Sequence, residues 1–132
     1  MARILLDTNI LIDSILFPER LSQKTIDILE DEKNTIFISA ASLLEISIKH
    51  NKHPKLMPID PVYLAQLIMD NEFDILPINE KILVIFDEFM LEKIHNDPFD
   101  HILLATAITE NCTLLTKDAL LGNYKNGKTI IV

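Results

Sequence analysis

Length, composition and charge limit what this chain can be. It has 132 residues, of which 48% are hydrophobic and 24% are charged, a balance that predicts one globular domain over residues 1–132. The formal net charge of −8 disfavours direct binding to nucleic acid, because phosphate groups attract Lys and Arg. An RNA or DNA ligand would therefore require either divalent metal at a carboxylate cluster or a basic partner.

The sequence contains no predicted membrane segment. No uninterrupted apolar run approaches the roughly 18 residues needed to cross a bilayer, and the N-terminus lacks the basic start and cleavage site of a signal peptide. The single cysteine, Cys112, excludes an internal disulfide and has no second cysteine at zinc spacing. We therefore expect a cytoplasmic protein.

Strand-length apolar runs alternate with segments of helical period. In chain order the pattern predicts a strand at 3–6, helices at 8–16 and 19–33 separated by Pro18, a strand at 35–38, a helix at 40–52, a proline-rich loop at 52–61, a helix at 61–71, a strand at 73–76, helices at 79–89 and 98–111, and strands at 112–116 and 128–132. This alternation predicts an α/β fold with a mainly parallel central sheet of four to five strands and helices on both faces.

Four acidic residues stand where ligands bind in such a fold. Asp7 follows the first strand and Asp118 follows the fourth, so both are predicted at the edge formed by the carboxyl ends of the strands. Glu45 and Asp100 fall in the first turns of predicted helices. All four side chains can therefore point into one cleft.

Helix capping is the structural alternative for each acid. Asp7 can cap the helix that follows it, and Ser42 with Glu45 has the S-x-x-E spacing of a capping box. Asp97 precedes Pro98 as an N-cap would, Asp100 would meet the positive end of that helix, and Asp118 can begin a last short helix. Capping explains each acid singly.

Considered together, the four acids favour a metal site. Carboxylates that lie close together repel one another and raise each other's pKa unless a cation is bound. Oxygen ligands suit Mg²⁺ or Mn²⁺, which bind through a few carboxylates together with substrate phosphate. The chemistry that follows is metal-assisted hydrolysis of a phosphodiester.

The segments LLDTNILID, SLLEISIK, DPFDHILLATA and LLTKD resemble, in this order, the four acidic motifs of the PIN-domain nucleases. The short single-domain form most resembles VapC-type toxins of bacterial toxin–antitoxin pairs. The resemblance implies a three-layer α/β/α sandwich and an endoribonuclease that requires Mg²⁺ or Mn²⁺. It also implies a homodimer that is held inactive by a cognate antitoxin.

Carried over by position, the resemblance assigns the site residues. It makes Asp7, Glu45, Asp100 and Asp118 the catalytic, metal-binding acids, with Thr8, Asn9, Thr116 and Asp97 in support. The third motif is aligned to Asp100, which leaves Asp97 as the cap, although the motif alone does not separate the two. Relatives with the DPFD pattern often have arginine next, where this chain has His101, a weaker phosphate contact when neutral.

Candidates for substrate binding are His101, Lys117, Lys49 and Lys52. Lys49 and Lys52 lie with His50 and His53 in the basic run KHNKHPK at 49–55. This run is either a solvated surface or a track for an RNA backbone. Asp13 is predicted to be solvated. Core and interface are both open for the apolar residues of the second helical segment, Leu21, Ile26, Ile28 and Leu29.

The leading hypothesis is a toxin that hydrolyses RNA with metal-activated water, leaving a 5′-phosphate and a 3′-hydroxyl, as the resemblance implies. One alternative is a catalytically inactive PIN-like module that binds or regulates. Another is a phosphotransfer domain of receiver type, with Asp7 as acceptor and Lys117 close to the acids.

Overall fold

A computed structural model describes residues 2–71, 73–93, 96–124 and 127–132. Its strands are β1 (Arg3–Leu6), β2 (Thr35–Ser39), β3 (Asp74–Leu76), β4 (Thr113–Thr116) and β5 (Thr129–Ile131). Its helices are α1 (Thr8–Leu16), α2 (Gln23–Glu30), α3 (Ala40–Lys52), α4 (Pro61–Asp70), α5 (Glu80–Glu92) and α6 (Pro98–Thr109), with 3₁₀ turns at Pro18–Arg20 and Ala119–Asn123.

In the described part of the chain the strands form one five-stranded, wholly parallel sheet. Their order is β3-β2-β1-β4-β5, which places β1 at the centre with Leu5 opposite Phe37 on one side and Leu114 on the other. The predicted α/β/α sandwich with a parallel sheet is confirmed. Because the strands are parallel, the residues that follow β1 and β4 lie at the same edge of the sheet.

Both faces of the sheet are covered, and β1 shows why. Ile4, Leu5 and Leu6 are all buried, whereas a strand with one solvated face would alternate. Leu5 packs with residues of α5 and α6, while Ile4 and Leu6 pack with residues of α1, α3 and α4 on the other face. Burying each of these side chains contributes about 1.5–3 kcal/mol, so the strand that carries Asp7 is firmly anchored.

The predicted helix at 19–33 is shorter than expected. The segment begins with a 3₁₀ turn, and α2 starts only after Ser22, whose hydroxyl accepts a hydrogen bond from Thr25 N at 3.1 Å. Beyond Glu30 the chain turns, and Asp31 Oδ1 accepts from Lys33 N at 2.9 Å. Polar side chains that bond to the nearby backbone favour turns over helix, which explains both boundaries.

The apolar residues of this segment are only half-buried. Ile28 and Leu29 pack against the α1, α3 and α4 side of the core, and Leu21 and Leu29 line an open groove beside α4. The other elements follow the predictions closely, and α5 extends to Glu92 rather than ending at 89. No helix in the described ranges has the length and apolar character required to span a membrane.

Candidate metal-dependent active site

Asp7 is both a helix cap and a wall of the central cleft. Its backbone N–H donates to Leu115 O at 2.9 Å, which fixes it to β4 at the end of β1. Its carboxylate accepts from Thr8 N at 2.7 Å through Oδ1 and from the Thr116 hydroxyl at 2.6 Å through Oδ2. The side chain is only 5% exposed, so a charged group is held at the sheet edge with little access to water.

Burial raises the pKa of Asp7 above its ordinary value, because removal from water penalises the charged form. The hydrogen bonds from Thr116 and Thr8 stabilise the carboxylate and oppose that rise. The negative charges of Glu45 and Asp118 add to it. The carboxylates of Asp7, Glu45 and Asp118 come from three separate segments and repel one another. A bound cation would relieve that repulsion.

Glu45 is positioned by α3, although not through the predicted capping box. The helix begins at Ala40, and its N-cap is Ser39, whose hydroxyl accepts from Ala41 N at 3.0 Å. Ser42 therefore lies inside the helix, and its hydroxyl shares a 2.9 Å hydrogen bond with that of Thr8. The capping-box interpretation is wrong, and Glu45, 5% exposed, pairs instead with Lys49 at 2.6 Å.

Asp97, Asp100 and Asp118 complete the acidic side of the site. Asp97 caps α6 by accepting from Phe99 N at 2.9 Å, as predicted, and Asp100 lies in the first turn of that helix. Asp118 caps the 3₁₀ turn by accepting from Leu120 N at 3.0 Å. Its own backbone N–H donates to the Thr116 hydroxyl at 3.0 Å, so that one hydroxyl links Asp118 to Asp7.

The structure brings the four predicted acids to one cleft of about 290 Å³. Its lining consists of Asp7, Thr8, Asn9, Glu45, Lys49, Asp97, Asp100, Lys117 and Asp118. Thr116 supports the cleft from beneath as a fully buried residue. That these acids bind metal and catalyse remains a prediction.

The donor set fits a hard divalent cation in chemical type. The cleft offers carboxylate, hydroxyl and amide oxygens, which Mg²⁺ and Mn²⁺ prefer. Within the described residues, no three Asp, Glu, His or Cys side chains are already grouped as ligands of a single ion. Mg²⁺ is commonly held by one or two carboxylates while it retains water, so it does not need such a group.

The lysine positions differ from one another. Lys117 lines the cleft and pairs with Asp13 at 2.5 Å, and Asp13 is 7% exposed. The prediction that Asp13 is solvated is therefore wrong, because Lys117, the residue after β4, packs its ammonium group against the Asp13 carboxylate. Lys49 lines the cleft beside Glu45, whereas Lys52 is exposed at the end of α3 and does not line it.

The histidines of the basic run hold the loop that follows α3. The Nδ1 atom of His50 lies 2.8 Å from Met57 O, and His53 ends the helix by donating its backbone N–H to Lys49 O at 2.8 Å. His53 and Lys55 are exposed beyond the helix. The track for an RNA backbone along this run stays a prediction.

His101 is not a phosphate contact at the surface, and that prediction is wrong. It is fully buried, hydrogen-bonded to the Tyr124 hydroxyl, and packed edge-on against Phe86 of α5. Successive residues of an α-helix point about 100° apart, so the position after Asp100 faces α5 instead of the cleft. A helical projection of DPFDH could have shown that His101 and Asp100 face different ways. It could not have identified the partner of His101, because Tyr124 is 23 positions away.

The sequence interpretation also missed Ser42 and Asp13. Ser42 precedes Glu45 by three positions, a spacing that places both on the same face of α3. That spacing was considered as a capping box, the structural alternative for Glu45, whereas the Ser42 hydroxyl bonds to that of Thr8. The Asp13–Lys117 pair had no local signal, because the two residues are 104 positions apart.

A family model described as "PIN domain" matches residues 4–126. The chain belongs to the PIN domain family. The resemblance seen in the four acidic motifs is thereby confirmed, and comparison with curated protein sequences finds no significant match.

Solved structures resemble this PIN domain over its whole length. A chain of VapBC2 from Rickettsia felis, bound to a DNA fragment from its promoter, is 21% identical with a TM-score of 0.77, covering 98% of each chain. DNA-bound VapBC from Salmonella typhimurium is 14% identical with a TM-score of 0.72, covering 99% of this chain and 98% of that one.

VapBC-5 from Mycobacterium tuberculosis, a member of the VapBC family of toxin–antitoxin systems, is 14% identical with a TM-score of 0.69, covering 100% of both chains. At these identities the likeness establishes the fold.

Proposed function

We propose that this PIN domain is a metal-dependent endoribonuclease that acts in the cytoplasm as the toxin of a toxin–antitoxin pair. The observation that carries the proposal is the convergence of Asp7, Glu45, Asp100 and Asp118 from four separate segments in one cleft. A fold with no use for this charge would not gain from burying Asp7 beside other carboxylates. The similar VapBC structures, which include a toxin–antitoxin system, support a cognate antitoxin as partner. A homodimer is proposed as the active unit.

The four acids would hold Mg²⁺ or Mn²⁺, with Asn9 and Thr8 at the same wall. A bound ion would lower the pKa of a water molecule and stabilise charge that develops on phosphate oxygens. Attack of that water on phosphorus, with the 3′-oxygen as leaving group, would leave a 5′-phosphate and a 3′-hydroxyl. The Thr116 hydroxyl orients the Asp7 carboxylate and stabilises its charged form. The hydrogen bond between the Thr8 and Ser42 hydroxyls links α1 to α3, the helices that follow Asp7 and carry Glu45.

Positive charge for an RNA substrate comes from lysines at the cleft itself. Lys49 and Lys117 both line the cavity, and each is partly exposed, with 49% and 41% of its side chain accessible. Both are paired with carboxylates, so a bound phosphate would share them with Glu45 and Asp13. Local placement of cations answers the objection raised by the net charge of −8.

The decisive experiment is cleavage of a mixed cellular RNA pool by the purified protein, with Mg²⁺ or Mn²⁺ against excess chelator. Asp7→Asn should abolish cleavage, because it removes the charge that binds the ion while retaining one oxygen for Thr8 N. The matched control is Asp27→Asn, an exposed acid of α2 outside the cleft. Cleavage by Asp7→Asn at the wild-type rate, or cleavage that persists in chelator, would refute the proposal.

A catalytically inactive binding module is the second candidate. The contact between Glu45 Oε2 and Lys49 at 2.6 Å favours it, because that oxygen is already occupied by a cation of the chain itself. Bound Mn²⁺ without RNA cleavage would support this alternative. The receiver-type hypothesis stays a prediction that no specific contact favours: Lys117 lines the cleft with Asp7, but its ammonium group pairs with Asp13.

A further inference from the structure

A second cavity, of about 370 Å³, adjoins the acidic cleft. The two cavities share Asn9 and Lys117 in their linings, so these residues form the boundary between them. The second cavity is bounded by the end of α1, the 3₁₀ turn after it and the loop that follows α3. Its volume lies within the range of sites for small molecules.

One wall of this cavity is a flat cation stacked on an aromatic ring. The 3₁₀ turn Pro18–Arg20 returns the chain on itself, and Arg20 N donates to Phe17 O at 2.8 Å. Side chains three residues apart eclipse one another in 3₁₀ geometry, which brings the guanidinium carbon of Arg20 to 3.9 Å from the centre of the Phe17 ring. Arg20 is exposed and lines the cavity, so its planar group can receive a second flat group.

Another part of the lining is the loop between α3 and α4. Leu56 is 80% exposed at this cavity, while the next residue, Met57, is buried and anchors the loop. The backbone N–H groups of Leu56 and Met57 both donate to His53 O at 3.0 Å, so the loop is a folded turn. An exposed leucine beside a stacked guanidinium offers apolar contact to a planar ligand without closing the cavity.

The floor and the boundary of the cavity carry hydrogen-bonding groups. The Asp13 carboxylate lines it and can accept hydrogen bonds, while Lys117 can donate to a phosphate placed between the two cavities. A flat stacking face, a hydrogen-bond acceptor and a phosphate-binding cation are the features that recognise a nucleotide.

We propose that this cavity binds one unpaired RNA base, stacked on Arg20, adjacent to the phosphate held in the acidic cleft. The inference rests on the proposed function, because it places the base next to the bond to be cleaved. Proteins recognise single-stranded RNA by stacking its bases on aromatic side chains and on arginine planes. The mixture of a cation, a carboxylate and a stacking plane favours a base over an aliphatic side chain of a protein partner.

The test compares ligands that differ only in the base. Binding of the four nucleoside 5′-monophosphates and of ribose 5-phosphate is measured by NMR titration in Mg²⁺. At least one monophosphate should bind about tenfold more tightly than ribose 5-phosphate, which lies within the range that one stacked base supplies. Addition of that monophosphate should change the chemical shifts of the Arg20 side-chain N–H and of the backbone of residues 17–20.

Two variants separate stacking from charge. Arg20→Lys keeps the charge but removes the planar group, so it should lose the tenfold preference while binding ribose 5-phosphate as the wild type does. Lys33→Ala removes one exposed positive charge before β2, at the opposite edge of the sheet. It should change neither the affinity for the monophosphates nor that for ribose 5-phosphate.

The results for this proposal and for the nuclease proposal are distinguishable. Equal affinity for ribose 5-phosphate and for every monophosphate, no binding of any monophosphate, or a preference that survives in Arg20→Lys would overturn the base pocket. RNA cleavage together with any of these results would leave the nuclease intact without the pocket. Base-dependent binding by a protein that cleaves no RNA would support the pocket in a binding module.

Discussion

Replacing Thr116 with valine tests the electrostatics of the cleft most directly. The hydroxyl of Thr116 is fully buried, donates to Asp7 Oδ2 at 2.6 Å, and is the strongest of the contacts that oppose the raised pKa of Asp7. A hydrogen bond to a charged group is worth about 1.5–3 kcal/mol. Thr116→Val removes this hydrogen bond from the charged form and should therefore raise the pKa of Asp7 further.

Protons compete with the cation for Asp7, so losing about 1.5–3 kcal/mol of stabilisation of the carboxylate should raise the pH at which Mn²⁺ binding is half-maximal, by about one to two pH units. The assay is electron paramagnetic resonance of free Mn²⁺ across the acidic and neutral range. Thr116→Ser retains the hydroxyl and is the matched control. An unchanged midpoint in folded Thr116→Val would refute the reasoning that this hydroxyl sets the charge state of Asp7.

The same variant has a defined effect on stability. The pKa of Asp7 is raised in the folded state, so the folded protein binds more protons than the unfolded chain in the window between the two pKa values. The free energy of unfolding therefore falls as pH rises through that window and stays reduced above it. Thr116→Val should lower the free energy of unfolding further at neutral pH. The difference in that free energy between the variant and the wild type should narrow below the pKa that Asp7 has in the unfolded chain. Urea denaturation at neutral pH and below that pKa would show both effects.

Three further predictions concern the supports of the site. Lys117→Met should lower the free energy of unfolding by about 1–3 kcal/mol, which is less than for a fully buried ion pair because the lysine is part-exposed. Adding Asp13→Asn to that variant should recover most of the loss, as measured by urea denaturation. No recovery would mean that Lys117 acts through packing alone. Ser39→Ala should cost about 1 kcal/mol, because it removes the cap of α3, and Ser39→Thr, which retains the hydroxyl that caps the helix, should cost less. Mg²⁺ at about 100 times its dissociation constant should stabilise the protein by about 2.7 kcal/mol, seen as a higher melting temperature, and the increase should vanish in Asp7→Asn; an equal increase in that variant would place the ion elsewhere.

Local sequence was a sound guide wherever neighbouring residues decide the structure. The boundaries of α1 and α3 were predicted to the residue, since apolar periodicity and polar caps act within a few positions. Caps at Asp7, Asp97 and Asp118 were predicted for the same reason. The helix expected at 19–33 was wrong, because turn-forming side chains at Ser22 and Asp31 outweighed its helical pattern.

The errors at the site share a different cause. Asp13 was expected in solvent and His101 in contact with substrate, yet Asp13 is covered by Lys117 and His101 by Tyr124 and Phe86. Whether a polar side chain is buried depends on which distant segment packs over it. Helical periodicity indicates which face of α6 carries His101, but it does not identify the distant segment that covers that face.

By itself the sequence determined the alternation of strands and helices, the parallel sheet, and the placement of acids after β1 and β4, because hydrophobic period and chain direction dictate these. Only the tertiary structure decided that Thr116 links Asp7 to Asp118, that Lys117 neutralises Asp13, and that a cavity walled by Arg20 adjoins the cleft. The physical reason is that charge, desolvation and cavity shape depend on groups far apart in the chain that folding brings together.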